Sequence, residues 1–176
     1  MLHLKLHTSE PRHGFTLVEL LIVIALIGIL ATLTVFALRS ARQKTRDAER
    51  ISAMTQIRAN LELGFVQLAN YPAQAEGELR LGGAGARVLC EAGGAPRFVD
   101  AESECAGTVF MPLVPRSPTP DDGSCTPLQN EYRYLAGSGG TDFKIEFCVG
   151  KAVPQSGLTN GLNCATPSGF AAGACE

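Results

Sequence analysis

Beyond residue 13 the chain contains no histidine, no two of its cysteines stand in a CxxC pair, and its longest apolar run contains no proline. Each absence closes a line of function. Without histidine, a hydrolase would have to assemble its nucleophile and base from less common groups, and no such pair is visible. Widely spaced cysteines without histidine suit a zinc site poorly, so the six of them, Cys90, Cys105, Cys125, Cys148, Cys164 and Cys175, read as disulfide partners in an oxidising compartment. An excess of base is also missing. The formal net charge is −2, and residues 71–176 carry seven Lys/Arg against twelve Asp/Glu. Such an acidic surface repels phosphate backbones, so this part is not expected to bind nucleic acid. Neither enzymatic activity nor a cofactor is called for.

What the chain has is one dominant apolar block. In 176 residues, 45% hydrophobic and 18% charged, there is room for one modest folded domain with appendages. Phe15 to Leu38 (FTLVELLIVIALIGILATLTVFAL) is a run of 24 residues whose one ionisable side chain is Glu19. As a helix it would extend roughly 36 Å, more than the roughly 30 Å hydrocarbon core of a bilayer. A secretory signal peptide has a shorter apolar core without acid. On hydropathy alone an ordinary signal anchor remains open, holding an uncleaved extracytoplasmic ligand-binding domain.

The start of the block narrows the choice. The stretch Gly14-Phe15-Thr16-Leu17-Val18-Glu19-Leu20-Leu21-Ile22-Val23-Ile24 resembles the class III signal of type IV pilins and type II secretion pseudopilins. The resemblance implies a leader, residues 1–14, cut after Gly14 by a prepilin peptidase on the cytoplasmic side. It implies that Phe15 becomes an N-methylated terminus and that Glu19 serves assembly. The partners it implies are identical or related pilin subunits, the peptidase, the membrane, and the platform protein and ATPase of an assembly machine. The chemistry agrees: a carboxylate in an apolar block costs about 2.5–3.5 kcal/mol on insertion scales and needs a compensating partner. The freed amine of Phe15, largely protonated near neutral pH, would be one. An interfacial carboxylate favoured by the helix macrodipole is the competing reading of Glu19.

The helix is expected to continue to residue 69, since Ile51, Met54, Ile57, Leu61, Phe65 and Leu68 recur at three- and four-residue steps. That stripe reads as core. Residues 15–38 would then be the transmembrane or filament-core segment, 39–69 its amphipathic continuation, and 70–176 an extracytoplasmic head. Two features depart from the family's pattern. Many pilins have a helix-breaking proline in the block, whereas here Gly28, Thr32 and Thr34 are the weak points. Lys5 and Arg12 before the block are also outnumbered by Arg39, Arg42, Lys44, Arg46 and Arg50 after it, against the positive-inside expectation.

Asn70-Tyr71-Pro72 ends the helix, because proline disfavours helical geometry at the residue before it. Residues 77–94, with six glycines, and 112–127, with five prolines, read as connections rather than core. A hairpin is expected from Tyr132–Leu135 to Phe143–Val149, with Phe143, Ile145, Phe147 and Val149 on one face, and a short strand near Thr108–Leu113. Six cysteines allow fifteen connectivities, among which pairing of neighbours is the one put forward: Cys90 to Cys105, Cys125 to Cys148 and Cys164 to Cys175. Asp121, Asp122 and Asp142 are weak candidates for calcium, because some pseudopilins bind it in the corresponding loop; Asp121-Asp122-Gly123 reads first as a turn. The fold expected is α+β, a long helix on a small antiparallel sheet. It would serve as a single-pass inner-membrane protein that enters a pilus, a secretion pseudopilus or a DNA-uptake filament.

Overall fold

The computed structural model describes residues 14–74, 78–121 and 124–175. Helix α1 runs from Leu17 to Leu68, 52 residues without a break. Neither Gly28 nor the threonines interrupt it; the Thr32 and Thr34 hydroxyls donate to the carbonyls of Ile29 and Leu30 at 2.7 and 2.8 Å. The helix ends where Ala69 turns left-handed (φ 57°), its N–H still bonded to the Phe65 carbonyl at 2.7 Å. Two compact units divide at Ser40/Ala41, and α1 contributes to both.

In the first unit the apolar side chains of α1 lie open; none of its most apolar stretch is buried. In the second, residues from Ala41 onward fold with two antiparallel sheets. Strands β1 (Leu79–Arg80), β5 (Arg133–Ala136), β6 (Phe143–Val149), β7 (Gly161–Thr166) and β8 (Gly169–Ala172) form one sheet in the order β1-β5-β6-β7-β8. Strands β2 (Val88–Ala92), β3 (Ala95–Val99) and β4 (Val109–Met111) form the other, in the order β3-β2-β4. A short helix, α2 (Pro127–Asn130), precedes β5 and is capped by Thr126.

The expected stripe is core: Met54, Ile57 and Leu61 are buried, and Ile51, Phe65 and Leu68 pack against the same cluster. The expected hairpin is β5–β6, with Tyr134 opposite Ile145 and Ala136 opposite Phe143. Phe143, Ile145, Phe147 and Val149 are all fully buried, as full burial of each apolar side chain, about 1.5–3 kcal/mol, favours.

The glycine-rich and proline-rich segments differ from expectation, because parts of both are core. Leu81, Ala86, Val88, Leu89 and Cys90 are buried, as is Val114. Val88–Ala92 pairs with Ala95–Val99 through a two-residue turn in which Gly93 and Gly94 have φ of 64° and 78°, the conformation that only glycine adopts without strain. Pro96 is accommodated because β3 lies at the edge of its sheet, where a missing N–H costs no ladder bond. Glycine marked the turn of a core hairpin here, not a loop.

A buried ion pair closes the second unit around α1. Asp47 and Arg50 are 3% and 0% exposed, and the Arg50 guanidinium donates to Asp47 Oδ1 at 3.0 Å. The same carboxylate accepts from the N–H groups of Gly150 at 2.7 Å and Lys151 at 3.0 Å, just past β6. Arg50 also reaches the Pro118 carbonyl at 3.4 Å. One pair thus joins the helix, the end of the central strand and the proline-rich segment. Below it Arg58 donates to the carbonyls of Thr166 and Pro167 at 2.8 and 2.9 Å and lies 5.0 Å from the centre of the Phe170 ring, holding the β7–β8 turn against the helix.

All three tyrosines, Tyr71, Tyr132 and Tyr134, are buried. Burial pushes each phenol above its ordinary pKa; for Tyr71 the hydrogen bond to the Glu62 carboxylate at 2.8 Å adds to the effect.

Asp47→Ala removes a buried carboxylate that accepts from Arg50, Gly150 and Lys151, and since a hydrogen bond to a charged group is worth about 1.5–3 kcal/mol the change is expected to cost about 3 kcal/mol of stability. Denaturant unfolding of the full chain in detergent, with disulfides intact, measures it. A loss below about 1 kcal/mol, the value of an exposed ion pair, would show that the pair does not hold these segments together.

Candidate processing and assembly site

The residues that the sequence marks for processing stand at the beginning of α1. Gly14 is the first described residue and is exposed; a Cβ built on it would meet nothing within 4 Å. Phe15 is 82% exposed. Thr16 stands just before the helix, its carbonyl accepting from the Leu20 N–H at 3.2 Å and its Oγ1 from the Glu19 N–H at 3.2 Å. That is the Ser/Thr-x-x-Glu capping pattern, with Glu19 at the third helical position.

Glu19 therefore has two relations to the helix start. Its N–H is held by the cap, and its carboxylate, exposed in the first turn, lies near the positive end of the macrodipole. Thr16 is the residue that the motif reading passed over, although its spacing to Glu19 was the signal for it. From Leu17 onward the helix presents apolar side chains on every side: Leu17, Val18, Leu20, Leu21, Ile22, Ile24, Leu26 and Ile27 are all more than half exposed. A helix apolar all round is suited to lipid or to other helices.

The cysteines lie in the second unit. Cys90 is bonded to Cys105, Cys125 to Cys148 and Cys164 to Cys175, with sequence separations of 15, 23 and 11, and no cysteine is free. The first covers the outer face of β2, where Val88, Cys90 and Val99 form a small separate cluster. The third ties the chain's end to β7, and the Cys175 N–H also donates to Glu146 Oε1 at 2.8 Å. Glu146 itself is buried and paired with Arg133, which also holds Glu78 at 2.7 Å.

Asp121 and Asp142 are exposed; the Asp142 carboxylate accepts from the Phe143 N–H at 2.8 Å, and Asp122 lies outside the described residues. Among the described residues no group of three metal-ligating side chains forms. A cleft of about 710 Å³ has Glu78, Arg80, Arg116, Asp121 and Glu131 among its lining, of which Arg80 and Glu131 pair with each other at 3.0 Å.

Residues 11–35 match the family described as the prokaryotic N-terminal methylation motif, the class III prepilin signal of type IV pilins and pseudopilins. No curated protein and no solved structure matches the chain.

The cap yields a local test. Thr16→Val keeps the side chain's shape and removes its oxygen, at a cost of about 1 kcal/mol. Hydrogen exchange at the Glu19 amide, followed by NMR in micelles, should accelerate roughly fivefold with little change beyond the first turn. Unchanged exchange would mean that the hydroxyl does not hold this N–H.

Proposed function

We propose that the chain is a structural subunit, cut after Gly14, methylated on Phe15 and polymerised into a type IV pilus or a type II secretion pseudopilus. The observation that carries this reading is the methylation motif at residues 11–35, set on a helix whose most apolar stretch is uncovered. The role is mechanical. Before assembly residues 15–38 span the inner membrane once, with the disulfide-bonded head on the extracytoplasmic side. In the filament these segments form the core and the heads the surface. The partners are other pilin subunits, a prepilin peptidase, and a platform protein and ATPase.

Glu19 supplies specificity in this scheme. In a growing filament the carboxylate of an incoming subunit neutralises the Phe15 amine of its neighbour. Neither charge then enters the apolar core alone. At about 4 Å and an effective dielectric near 20 the attraction is roughly 4 kcal/mol before desolvation is subtracted.

The processing step is tested by intact mass of membrane-extracted protein. A species beginning at Phe15 and carrying one added methyl is expected, and Gly14→Leu should leave the precursor uncut, since the cut requires a small residue there. Appearance of the Phe15 species from the Gly14→Leu protein would remove the assignment of Gly14.

The assembly step is tested by Glu19→Ala, which should insert and be cut normally, because the change removes a costly charge from the span. Each addition to the filament should then be weaker by about 3–5 kcal/mol, two or more orders of magnitude, and processed monomer should accumulate. Filaments in wild-type amounts from this variant would refute the assembly role.

A further inference from the structure

The basic residues beyond the apolar block run against the positive-inside expectation, and the polymerisation scheme gives them no task. The structure accounts for Arg50, which is buried against Asp47. It leaves Arg39 exposed at the end of the apolar run, where a shallow groove of about 360 Å³ lies on the surface of α1. Ala31, Thr32, Val35, Phe36 and Arg39 line it, with Arg39 the last of them along the helix.

The groove's chemistry restricts its occupant. The Thr32 hydroxyl is already bonded to the Ile29 carbonyl at 2.7 Å, so it makes no demand along the groove. The one strong polar group is the guanidinium at the end, with planar donors that match a phosphate. The occupant is therefore apolar along its length and anionic at one end. An axial length of roughly 36 Å for residues 15–38 places Arg39 just outside a roughly 30 Å hydrocarbon core, at the level of the headgroups.

We propose that this groove holds an anionic phospholipid, its acyl chain along Ala31, Thr32, Val35 and Phe36 and its phosphate on Arg39. The inference rests on the reading of residues 15–38 as a membrane span. Its consequence is a lipid-dependent hold on the subunit before assembly: a lipid seated here must leave before a neighbouring helix can pack on the same surface.

The test uses the full chain in nanodiscs of mixed phosphatidylcholine and phosphatidylglycerol, with the lipids retained by the protein read by native mass spectrometry. Wild type should retain phosphatidylglycerol preferentially. Arg39→Gln should lower that preference roughly fivefold at low salt, the effect of about 1 kcal/mol for one cation at an anionic surface. Thr32→Leu, which fills the groove and spares the charge, should reduce retention of both lipids.

Equal retention of the two lipids by wild type would overturn the proposal, as would an Arg39→Gln protein with its preference intact or a Thr32→Leu protein with its retention intact. Contacts between copies that depend on Arg39 and exclude lipid would also overturn it, assigning the groove to a second helix. Flotation with phosphatidylcholine vesicles separates the underlying reading: a chain that does not float has no span, and the failure then lies there.

Discussion

The apolar surface of residues 15–38 is the constraint from which the rest follows. Within its unit nothing covers it, and water penalises it by about 25 cal/mol for each Å² exposed. A dozen large aliphatic side chains in that state cannot persist in solution. The segment requires lipid or other helices, and it remains helical in either because every backbone donor must be satisfied within the chain. A single carboxylate in the first turn makes the two environments unequal. Glu19 is a cost in lipid and an asset wherever a cation can meet it.

The second unit solves a different problem, that of building a stable fold from sheets of modest size. Its answer is to make residues 41–68 of α1 part of the core and to fix the sheets to them with charge as well as apolar contact. Asp47 and Arg50 join three segments, Arg58 holds the β7–β8 turn, and Glu146 takes in the chain's end. Disulfides act on the same problem from the unfolded side, each loop closed being worth roughly 3 kcal/mol in the loop-closure account. The bond Cys90–Cys105 belongs to the small cluster of Val88, Cys90 and Val99, separate from the main core, and Cys164–Cys175 ties residue 175 to β7.

Patterns that depend on neighbours in the chain were legible. The helix and its core stripe follow from a period of three to four, the β5–β6 hairpin from alternation, and the start of the helix from a motif of eleven consecutive residues. Features that depend on distant partners were not legible. Arg50 looked like one member of a basic cluster because its guanidinium's partners include the Pro118 carbonyl, 68 residues away. Asp47 meets Gly150 across 103 residues, and no local pattern announces such a bond. Strand β2 and its turn fall in the glycine-rich stretch 77–94, which reads as a connection by composition, while the sheet it pairs into decides that it is core.

The sequence by itself determined that residues 11–35 carry the N-terminal methylation motif and that an apolar helix runs through it, because both are linear: the motif is a run of residues in order, and a helix needs only its own residues to form. Tertiary structure alone decided which charged side chains are surface and which are framework. Arg39, Arg42 and Lys44 are exposed, while Arg50, a few residues on in the same helix and of the same chemistry, is fully buried. The reason is physical. The free energy of a charge depends on what surrounds it in space, and the groups that surround Arg50 are brought there only when the sheets close on α1.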